Sequence, residues 1–226
     1  EKPHIVGAGL SVGIESALND PEPTLWAQDN PCLYRHKQTL LRTGEILDTS
    51  EIRFGIRTME YDAATGFRIN GRPLKIQGVC LHNDGGALGS ACRKETFDRQ
   101  LRILRDMGCN AIRTAHHPFG EDFLEACDEQ GMLVLAEAFD EWQVPITTAV
   151  CSDGAFQTLS VHYYAEMFDK HAQRDLSDMI LRDRNHPSIF MWSIGNEVPQ
   201  RHRFSGHAIA ARLVETVRAL DTRPVT

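Results

Sequence analysis

The pair Asn196-Glu197 is the part of this sequence best suited to chemistry. It follows the largely apolar run from Ile189 to Ile194, which has the length of a strand buried on both faces. In a β/α barrel, chemistry takes place at the carboxyl ends of the strands. An amide and a carboxylate at such an end can bind a polar ligand and exchange protons with it. The alternative interpretation is a strand end that carries a solvated glutamate.

Polar side chains also follow three earlier predicted strands. They are His82, Asn83 and Asp84 after the first strand, Arg113, His116 and His117 after the second, and Glu137, Asp140, Glu141 and Trp142 after the third. Because the carboxyl ends of the strands meet at one face of a barrel, we predict that these side chains share one site with Asn196 and Glu197.

Several of these residues also have a structural explanation. Arg113 and Glu137 lie on neighbouring predicted strands, and we expect them to form an ion pair inside the barrel. The pair His116-His117 suits a hydrogen-bonded loop as well as a ligand site. His186 precedes the fourth strand, so we assign it to the opposite, structural face.

The elements that position these residues alternate in type from residue 75 onward. The apolar patterns predict strands over 75–81, 110–114, 132–138 and 189–194, and helices over 94–107, 119–130, 163–184 and 206–220. Residues 224–226 begin a fifth strand. Repeated strand–helix–strand units predict a parallel sheet with right-handed crossovers.

The chain before this region has a different character. Short β-like runs at 4–6, 34–41 and 52–58 are separated by turn-rich stretches, which is typical of a β-sandwich. About 60 residues are too few for a whole sandwich, and an eight-fold barrel takes roughly 250. We therefore predict an α/β chain with two partial domains: the C-terminal part of a β-sandwich at 1–62, and the first half of a (β/α)8 TIM barrel at 63–226. It would be a piece of a longer polypeptide.

Composition excludes several classes of protein. The net charge is −7 and no large basic cluster is present, so we expect neither a nucleic acid nor an anionic membrane as partner. The apolar stretches are far shorter than the roughly 18 residues that span a bilayer, and the first residues do not resemble a signal peptide. No glycine-rich turn opens a helix after the first strand, which excludes dinucleotide binding.

Cysteine and histidine spacing gives little sign of metal. The six cysteines have neither metal-finger nor redox spacing, and we expect buried, reduced thiols, which favours a reducing, cytoplasmic compartment. A metal centre would compete for the polar strand ends, yet no HxH or HExxH pattern occurs. The stretch 143–162 has no periodicity and is long for a βα loop, so we predict a substrate-shaping loop, with a disordered insert as the alternative.

The sequence resembles glycoside hydrolase family 2, the family of β-galactosidases, β-glucuronidases and β-mannosidases, over nearly its full length. The segments that carry the resemblance are RFGIRTMEYDAATGFRINGRPLKIQGVCLHND, RTAHHP and LRDRNHPSIFMWSIGNE. The stretch LWAQDNPCLY is similar to the immunoglobulin-like domain that precedes the barrel in this family. The resemblance thus implies that the partial sandwich is immunoglobulin-like.

The resemblance also assigns roles to the strand-end residues. It implies that Glu197 is the general acid/base and that Asn196 contacts the sugar 2-hydroxyl. His116 and His82 would line the sugar subsite, with Arg113 beneath them. Further substrate-binding candidates are Asp84, His117 and Trp142, the last as a platform for a sugar ring. The family's nucleophile is a glutamate after the seventh strand, beyond this half of the barrel.

A magnesium site is the one cofactor that the resemblance raises. Enterobacterial-type β-galactosidases hold magnesium with the strand-four glutamate and with a glutamate and a histidine after strand three. Glu141 matches that second glutamate, but Gln143 stands in place of the histidine. We therefore expect no cofactor, with Glu141 as the one candidate magnesium ligand.

Together these features predict a retaining exo-β-glycosidase that cleaves terminal β-linked sugars by a two-carboxylate double displacement. The form GVCLHNDGGALG is most similar to the β-galactosidase branch. The alternatives are a β-glucuronidase, another family 2 glycosidase, or a non-catalytic carbohydrate-binding relative. The expected partner is a carbohydrate, and a homo-oligomer is compatible with the sequence. We expect this chain alone to be inactive, because it would hold the acid/base without the nucleophile.

Overall fold

The structure is a computed structural model that describes residues 19–143, 148–152, 155–159 and 164–226, together with the single residues 9, 13 and 17. The strand predicted at 4–6 lies outside the described residues. No described helix has both the length and the apolar character that crossing a membrane requires.

Two antiparallel sheets precede the barrel strands. The strands β1 (Tyr34–Arg42) and β2 (Glu45–Phe54) form a long hairpin whose side chains are mostly exposed. The strands β3 (Met59–Asp62), β4 (Gly66–Ile69) and β5 (Arg72–Pro73) form a three-stranded sheet. The hairpin confirms the strand predicted at 34–41, and β2 begins earlier than the strand predicted at 52–58. The predicted domain boundary at residues 62 and 63 falls between β3 and β4, and the immunoglobulin-like domain remains a prediction.

The three-stranded sheet was not predicted, although its sequence contains a hairpin signal. Asn70 and Gly71 both have a positive φ, 50° and 74°, in the turn between β4 and β5. Asn-Gly is the residue pair that tolerates this turn best. The flanking strands are too short to show a period-2 pattern, so this dipeptide was the only signal available.

Four parallel strands then alternate with helices. In chain order the elements are β6 (Gly78–His82), α1 (Lys94–Asp106), β7 (Ala111–Ala115), α2 (Glu121–Gln130), β8 (Leu133–Glu137), β9 (Thr148–Ser152), β10 (Ala155–Leu159), α3 (Ala165–Asp183), β11 (Ile189–Ser193) and α4 (Phe204–Arg218). The parallel sheet has the order β11-β8-β7-β6, and a parallel bridge from Trp192 to Val225 begins a fifth strand. This arrangement of four β/α units confirms the predicted parallel sheet of a TIM barrel.

The helices pack on the sheet through the stripes seen in the sequence. Phe97 and Leu101 of α1 are buried, and five apolar residues at helical spacing form a buried stripe on α3: Phe168, Ala172, Leu176, Met179 and Ile180. Met107, the last residue of the helix predicted over 94–107, is exposed. This is because α1 ends at Asp106 and the chain turns away. The helices therefore cover one side of the sheet and leave the strand ends to form a site.

The amino ends of the barrel strands are closed by the preceding sheets. Trp26 is fully buried, and its indole nitrogen donates to Asp128 O at 2.8 Å. Ile69 joins it in a cluster with Ala111, Leu133 and Phe190, which lie at or next to the starts of three barrel strands. His186 lies at this end and pairs with the Asp128 carboxylate at 2.6 Å, which confirms its structural assignment. The carboxyl ends of the strands are left free to hold a site.

The inserted segment after β8 contains more regular structure than predicted. Strands β9 and β10 form an antiparallel hairpin, whereas the sequence predicted an irregular loop over 143–162. The rest of that loop, including residues 144–147 and 160–163, lies outside the described residues.

Five cysteines are free thiols in the described part of the chain: Cys32, Cys80, Cys92, Cys109 and Cys127. Of these five, Cys127 alone is buried, and burial raises the pKa of its thiol. The prediction of generally buried thiols was wrong, because an apolar sequence neighbourhood does not determine which way a strand residue such as Cys80 points.

Candidate active site

Four polar side chains from neighbouring strand ends meet in one hydrogen-bonded cluster. Arg113 lies on β7, His116 follows β7, Glu137 ends β8 and Asn196 follows β11. The predicted convergence of strand ends is therefore present for these residues. The cluster is built around one buried carboxylate.

Glu137 is that carboxylate, with only 1% of its surface exposed. Arg113 donates to it from Nε at 2.9 Å and from Nη2 at 3.0 Å, and Ser193 Oγ donates at 2.7 Å. The predicted Arg113–Glu137 ion pair is thus confirmed. Burial lowers the pKa of Arg113, but hydrogen bonds with Cys80 and Glu137 outweigh it, so this pKa lies above its usual value.

His116 is oriented by the same carboxylate. Its Nδ1 lies 2.8 Å from Glu137 Oε1, and since an ionised carboxylate only accepts, Nδ1 is the donor. The opposite ring nitrogen, Nε2, remains available to a ligand. His82 packs edge-on against His116, with ring centroids 5.3 Å apart. Both histidines, predicted as neighbours in a sugar subsite, line the same cavity.

The Asn196 amide is fixed from two sides. Arg113 Nη2 donates to Asn196 Oδ1 at 2.6 Å, and Asn196 Nδ2 donates to Asp140 Oδ1 at 2.9 Å. The Asn196 backbone nitrogen also donates to Asp140 O at 2.7 Å. These bonds distinguish the amide oxygen from the amide nitrogen and leave one Nδ2 hydrogen for a ligand. The sequence placed Asp140 at this strand end but gave it no role.

Glu197 is exposed beside this fixed amide. It lines a cavity of about 500 Å³ together with Asn196, Pro199 and Arg201. Within the described part of the chain, its carboxylate makes no hydrogen bond or ion pair with a side chain. The group is therefore available to a ligand at the mouth of the barrel.

A second cavity of about 680 Å³ opens at the ends of β6, β7 and β8. Its polar lining consists of His82, His116, His117, Asp140, Glu141, Tyr164 and Asp175. Tyr164 donates to Asp175 Oδ2 at 2.6 Å, and this hydrogen bond lowers the pKa of Asp175. Burial, followed by the bond to Asp175, raises the pKa of Tyr164. Arg174 also pairs with Asp175, with 2.8 Å between Nη2 and Oδ1. The cavity therefore combines three carboxylates, one of them paired with an arginine, with three histidines.

Two predicted binding residues lie at the edge of this arrangement. Asp84 is exposed, does not line the cavity, and accepts a hydrogen bond from Gly86 N at 2.8 Å. His117 lines the cavity and stacks on Phe119, with ring centroids 5.5 Å apart. Contacts with a sugar remain predictions for both.

Trp142 does not form the predicted sugar platform. Only 5% of its surface is exposed, and its ring packs beside Phe168, with centroids 6.1 Å apart. Its indole nitrogen donates to Ile194 O at 2.7 Å and would lie 2.8 Å from a Cβ added to Gly195. Polar sequence neighbours suggested an exposed ring, but the ring supports the turn that delivers Asn196 and Glu197. Trp192 is buried as well.

The described residues do not fit a magnesium site. Among them, no three His, Cys, Asp or Glu side chains are grouped so as to hold a metal ion. Glu141 is buried at 5% exposure. The Gln143 amide, at the position expected for a histidine ligand, donates to Asp169 Oδ1.

Comparison with known proteins agrees with this geometry. The family model described as glycosyl hydrolases family 2, TIM barrel domain, matches residues 63–226. The β-galactosidase BoGH2A of Bacteroides ovatus is 44% identical over 191 residues, which cover 84% of this chain and 21% of that protein. The β-glucuronidase of Rattus norvegicus is 30% identical over 220 residues, which cover 95% of this chain and 31% of that protein.

Solved structures show the same relationship. The crystal structure of a glycosyl hydrolase family 2 member from Bacteroides cellulosilyticus superposes with a TM-score of 0.80 at 39% identity, covering 90% of this chain and 25% of that one. The chain thus spans about a fifth to a third of the length of these relatives. With a family model matched over all four β/α units and a structure that superposes on a solved member, this chain belongs to glycoside hydrolase family 2.

Proposed function

We propose that this chain supplies the acid/base half of a retaining β-glycosidase. The observation that carries the proposal is the exposed Glu197 carboxylate, which lies next to an Asn196 amide held by Arg113 and Asp140. A carboxylate without a partner beside a rigid hydrogen-bond donor suits proton transfer to a bound sugar better than it suits a structural role.

The reaction needs two carboxyl groups roughly 5–5.5 Å apart. Glu197 gives its proton to the glycosidic oxygen while a second glutamate attacks the anomeric carbon and forms a glycosyl-enzyme. Glu197 then takes a proton from the water that hydrolyses this intermediate. No second carboxylate lines the Glu197 cavity within the described residues, and in this proposal the nucleophile is the glutamate that the family carries after strand seven.

Asn196 acts in this proposal as a donor to the sugar 2-hydroxyl. Its Oδ1 already accepts from Arg113, and one Nδ2 hydrogen already reaches Asp140. The remaining Nδ2 hydrogen is the one that a sugar oxygen can accept. Hydrogen bonds to the 2-hydroxyl strengthen in the transition state, so a fixed amide lowers the barrier.

We further propose a neutral sugar, and a β-galactoside first, as the substrate. Three carboxylates line the larger cavity: Asp140, Glu141 and Asp175. Arg174 pairs with Asp175, but a uronate would still bring a further negative charge beside Asp140 and Glu141. Neutral hydroxyl groups can instead donate to these oxygens. The 44% identity to a protein named β-galactosidase supports the same choice.

The test uses the full-length protein and two nitrophenyl substrates, a β-galactoside and a β-glucuronide. We expect kcat/KM for the galactoside to be higher by on the order of 100-fold, because like charges in a shared cavity cost several kcal/mol. NMR should show the β-anomer as the first product. The variant Asp175→Asn removes one negative charge from the cavity lining at almost constant shape. It should reduce the ratio of kcat/KM for the galactoside to kcat/KM for the glucuronide. A preference for the glucuronide would overturn the substrate assignment, and hydrolysis of neither by a folded protein would favour a carbohydrate-binding relative.

A further inference from the structure

The segment that follows Glu197 differs in charge from the rest of the chain. From Val198 to Val214 there is no Asp or Glu, although the whole chain has a net charge of −7. The basic side chains at the start of this segment are Arg201, His202 and Arg203. A local excess of positive charge therefore lies directly next to the proposed acid/base.

Arg201 and Arg203 have no acidic partner among the described residues. Arg201 Nη1 donates to Val198 O at 3.3 Å, and neither arginine forms an ion pair in the described ranges. Three other arginines of the barrel do form ion pairs: Arg113 with Glu137, Arg182 with Asp183, and Arg223 with Asp221. An unpaired guanidinium group that lines a functional cavity, as Arg201 does, is free to recognise an anion.

The cavity that Glu197 lines also contains one of these cations. Arg201 lines the same cavity as Glu197, whereas the acidic lining of Asp140, Glu141 and Asp175 belongs to the larger cavity. Phe204, which follows Arg203 in the chain, is 93% exposed, and its ring lies edge-on to His207, with centroids 6.3 Å apart. Carboxylates thus line the larger cavity on one side of Asn196 and Glu197, whereas a guanidinium group lines the cavity that Glu197 itself faces.

We propose that Arg201, Arg203 and Phe204, here called the cationic rim, bind an anionic aglycone, which is the leaving group of the reaction. This inference rests on the proposed acid/base role of Glu197, because the group that protonates the glycosidic oxygen lies between the sugar and the leaving group. The sugar occupies the acidic side and the aglycone occupies the basic side. The preferred substrate is therefore a β-glycoside of a neutral sugar whose aglycone carries a carboxylate or a sulfate.

The test uses the full-length protein with two aryl β-galactosides, one carrying a meta-carboxylate and one a meta-carboxamide on the aryl ring. The carboxamide is similar in shape and lacks the charge. We expect kcat/KM to favour the carboxylate by about threefold to fivefold at low ionic strength, as for an exposed ion pair, and less at high salt. The double variant Arg201→Gln/Arg203→Gln should bring this ratio to about one.

The readout is the ratio of kcat/KM for the carboxylate to kcat/KM for the carboxamide. A general loss of folding lowers both values and leaves their ratio unchanged. Arg212→Gln is the matched control: it removes one charge from an exposed position further along α4 and should keep the wild-type ratio. A ratio of about one in the wild type would overturn the proposed role of the cationic rim. So would a preference for the carboxylate that persists in the double variant.

Failure of the proposed function looks different, because then neither substrate is hydrolysed. In that case calorimetric binding of the same two compounds still measures the preference for the anion. Equal affinity for both compounds would reject the rim independently of turnover.

Discussion

Asn196 illustrates how single residues of this site depend on partners distant in the sequence. The residue that holds its amide oxygen, Arg113, is 83 positions away, and the residue that holds its amide nitrogen, Asp140, is 56 positions away. Residue types at strand ends were enough to predict that these groups would meet. They were not enough to give Asp140 a role, because a hydrogen bond between distant loops leaves no local pattern in a sequence.

The role of Asp140 can be separated from a general structural role. Asp140→Ala removes the acceptor that orients the Asn196 amide, so we expect kcat on a β-galactoside to fall about fivefold to tenfold, the value of one hydrogen bond. A 2-deoxy-galactoside has no 2-hydroxyl for Asn196 to contact, and its kcat should stay nearly constant. Equal losses on both substrates would show that Asp140 does not act through Asn196.

The buried Arg113–Glu137 pair makes a prediction about stability. Glu137→Gln leaves the Arg113 guanidinium without its countercharge in a partly buried site, so we expect a loss of about 3 kcal/mol in the free energy of unfolding. The control is Glu51→Gln, which removes an exposed partner of Arg35 and should cost less than about 1 kcal/mol. Chemical denaturation of both variants measures the difference, and equal costs would contradict the proposed importance of the buried pair.

At the scale of elements, the strands and helices with a strong apolar period were predicted and the short ones were missed. The α3 stripe and the run of β11 extend over enough residues to show their period. The strands β3, β4 and β5 are too short to do so, and only the pair Asn70-Gly71 marked them. Trp142 was misplaced for a related reason: beyond a strand end, no period indicates which way a side chain points.

Helix α2 ends at Gly131, where both backbone shape and space require glycine. Its φ is +69°, and an added Cβ would lie 2.3 Å from Gln28 O. We expect Gly131→Ala to lower the free energy of unfolding by more than about 2 kcal/mol. Gly108 ends the turn after α1 with φ +89° but has nothing within 4 Å of an added Cβ, so Gly108→Ala should cost only about 1 kcal/mol. Thermal unfolding of the two variants measures how much the close approach to Gln28 adds to the loss of stability. Equal losses in the two variants would show that this approach contributes nothing.

At the scale of the whole molecule, the architecture separates support from chemistry. The chain that precedes the barrel strands covers their amino ends, where Trp26 and Ile69 pack in one cluster with Phe190 of β11. The polar cluster and the cavities lined by Glu197 and His116 lie at the carboxyl ends. Alternation of element types along the sequence predicted this division, because a parallel strand places its two ends on opposite faces of the barrel. Residues of the sugar site that lie outside this chain leave no pattern in its sequence.

The central claim is that Glu197 is the acid/base, and Glu197→Gln in the full-length protein tests it most directly. Substrates with poor leaving groups need protonation, so their hydrolysis should slow far more than that of activated aryl glycosides. The glycosyl-enzyme should then accumulate, because its hydrolysis lacks a general base. Added azide needs no deprotonation, so we predict that it restores turnover of activated substrates and yields a β-glycosyl azide with retained configuration. An equal loss on both substrate types in a normally folded variant, with no rescue by azide, would contradict the claim.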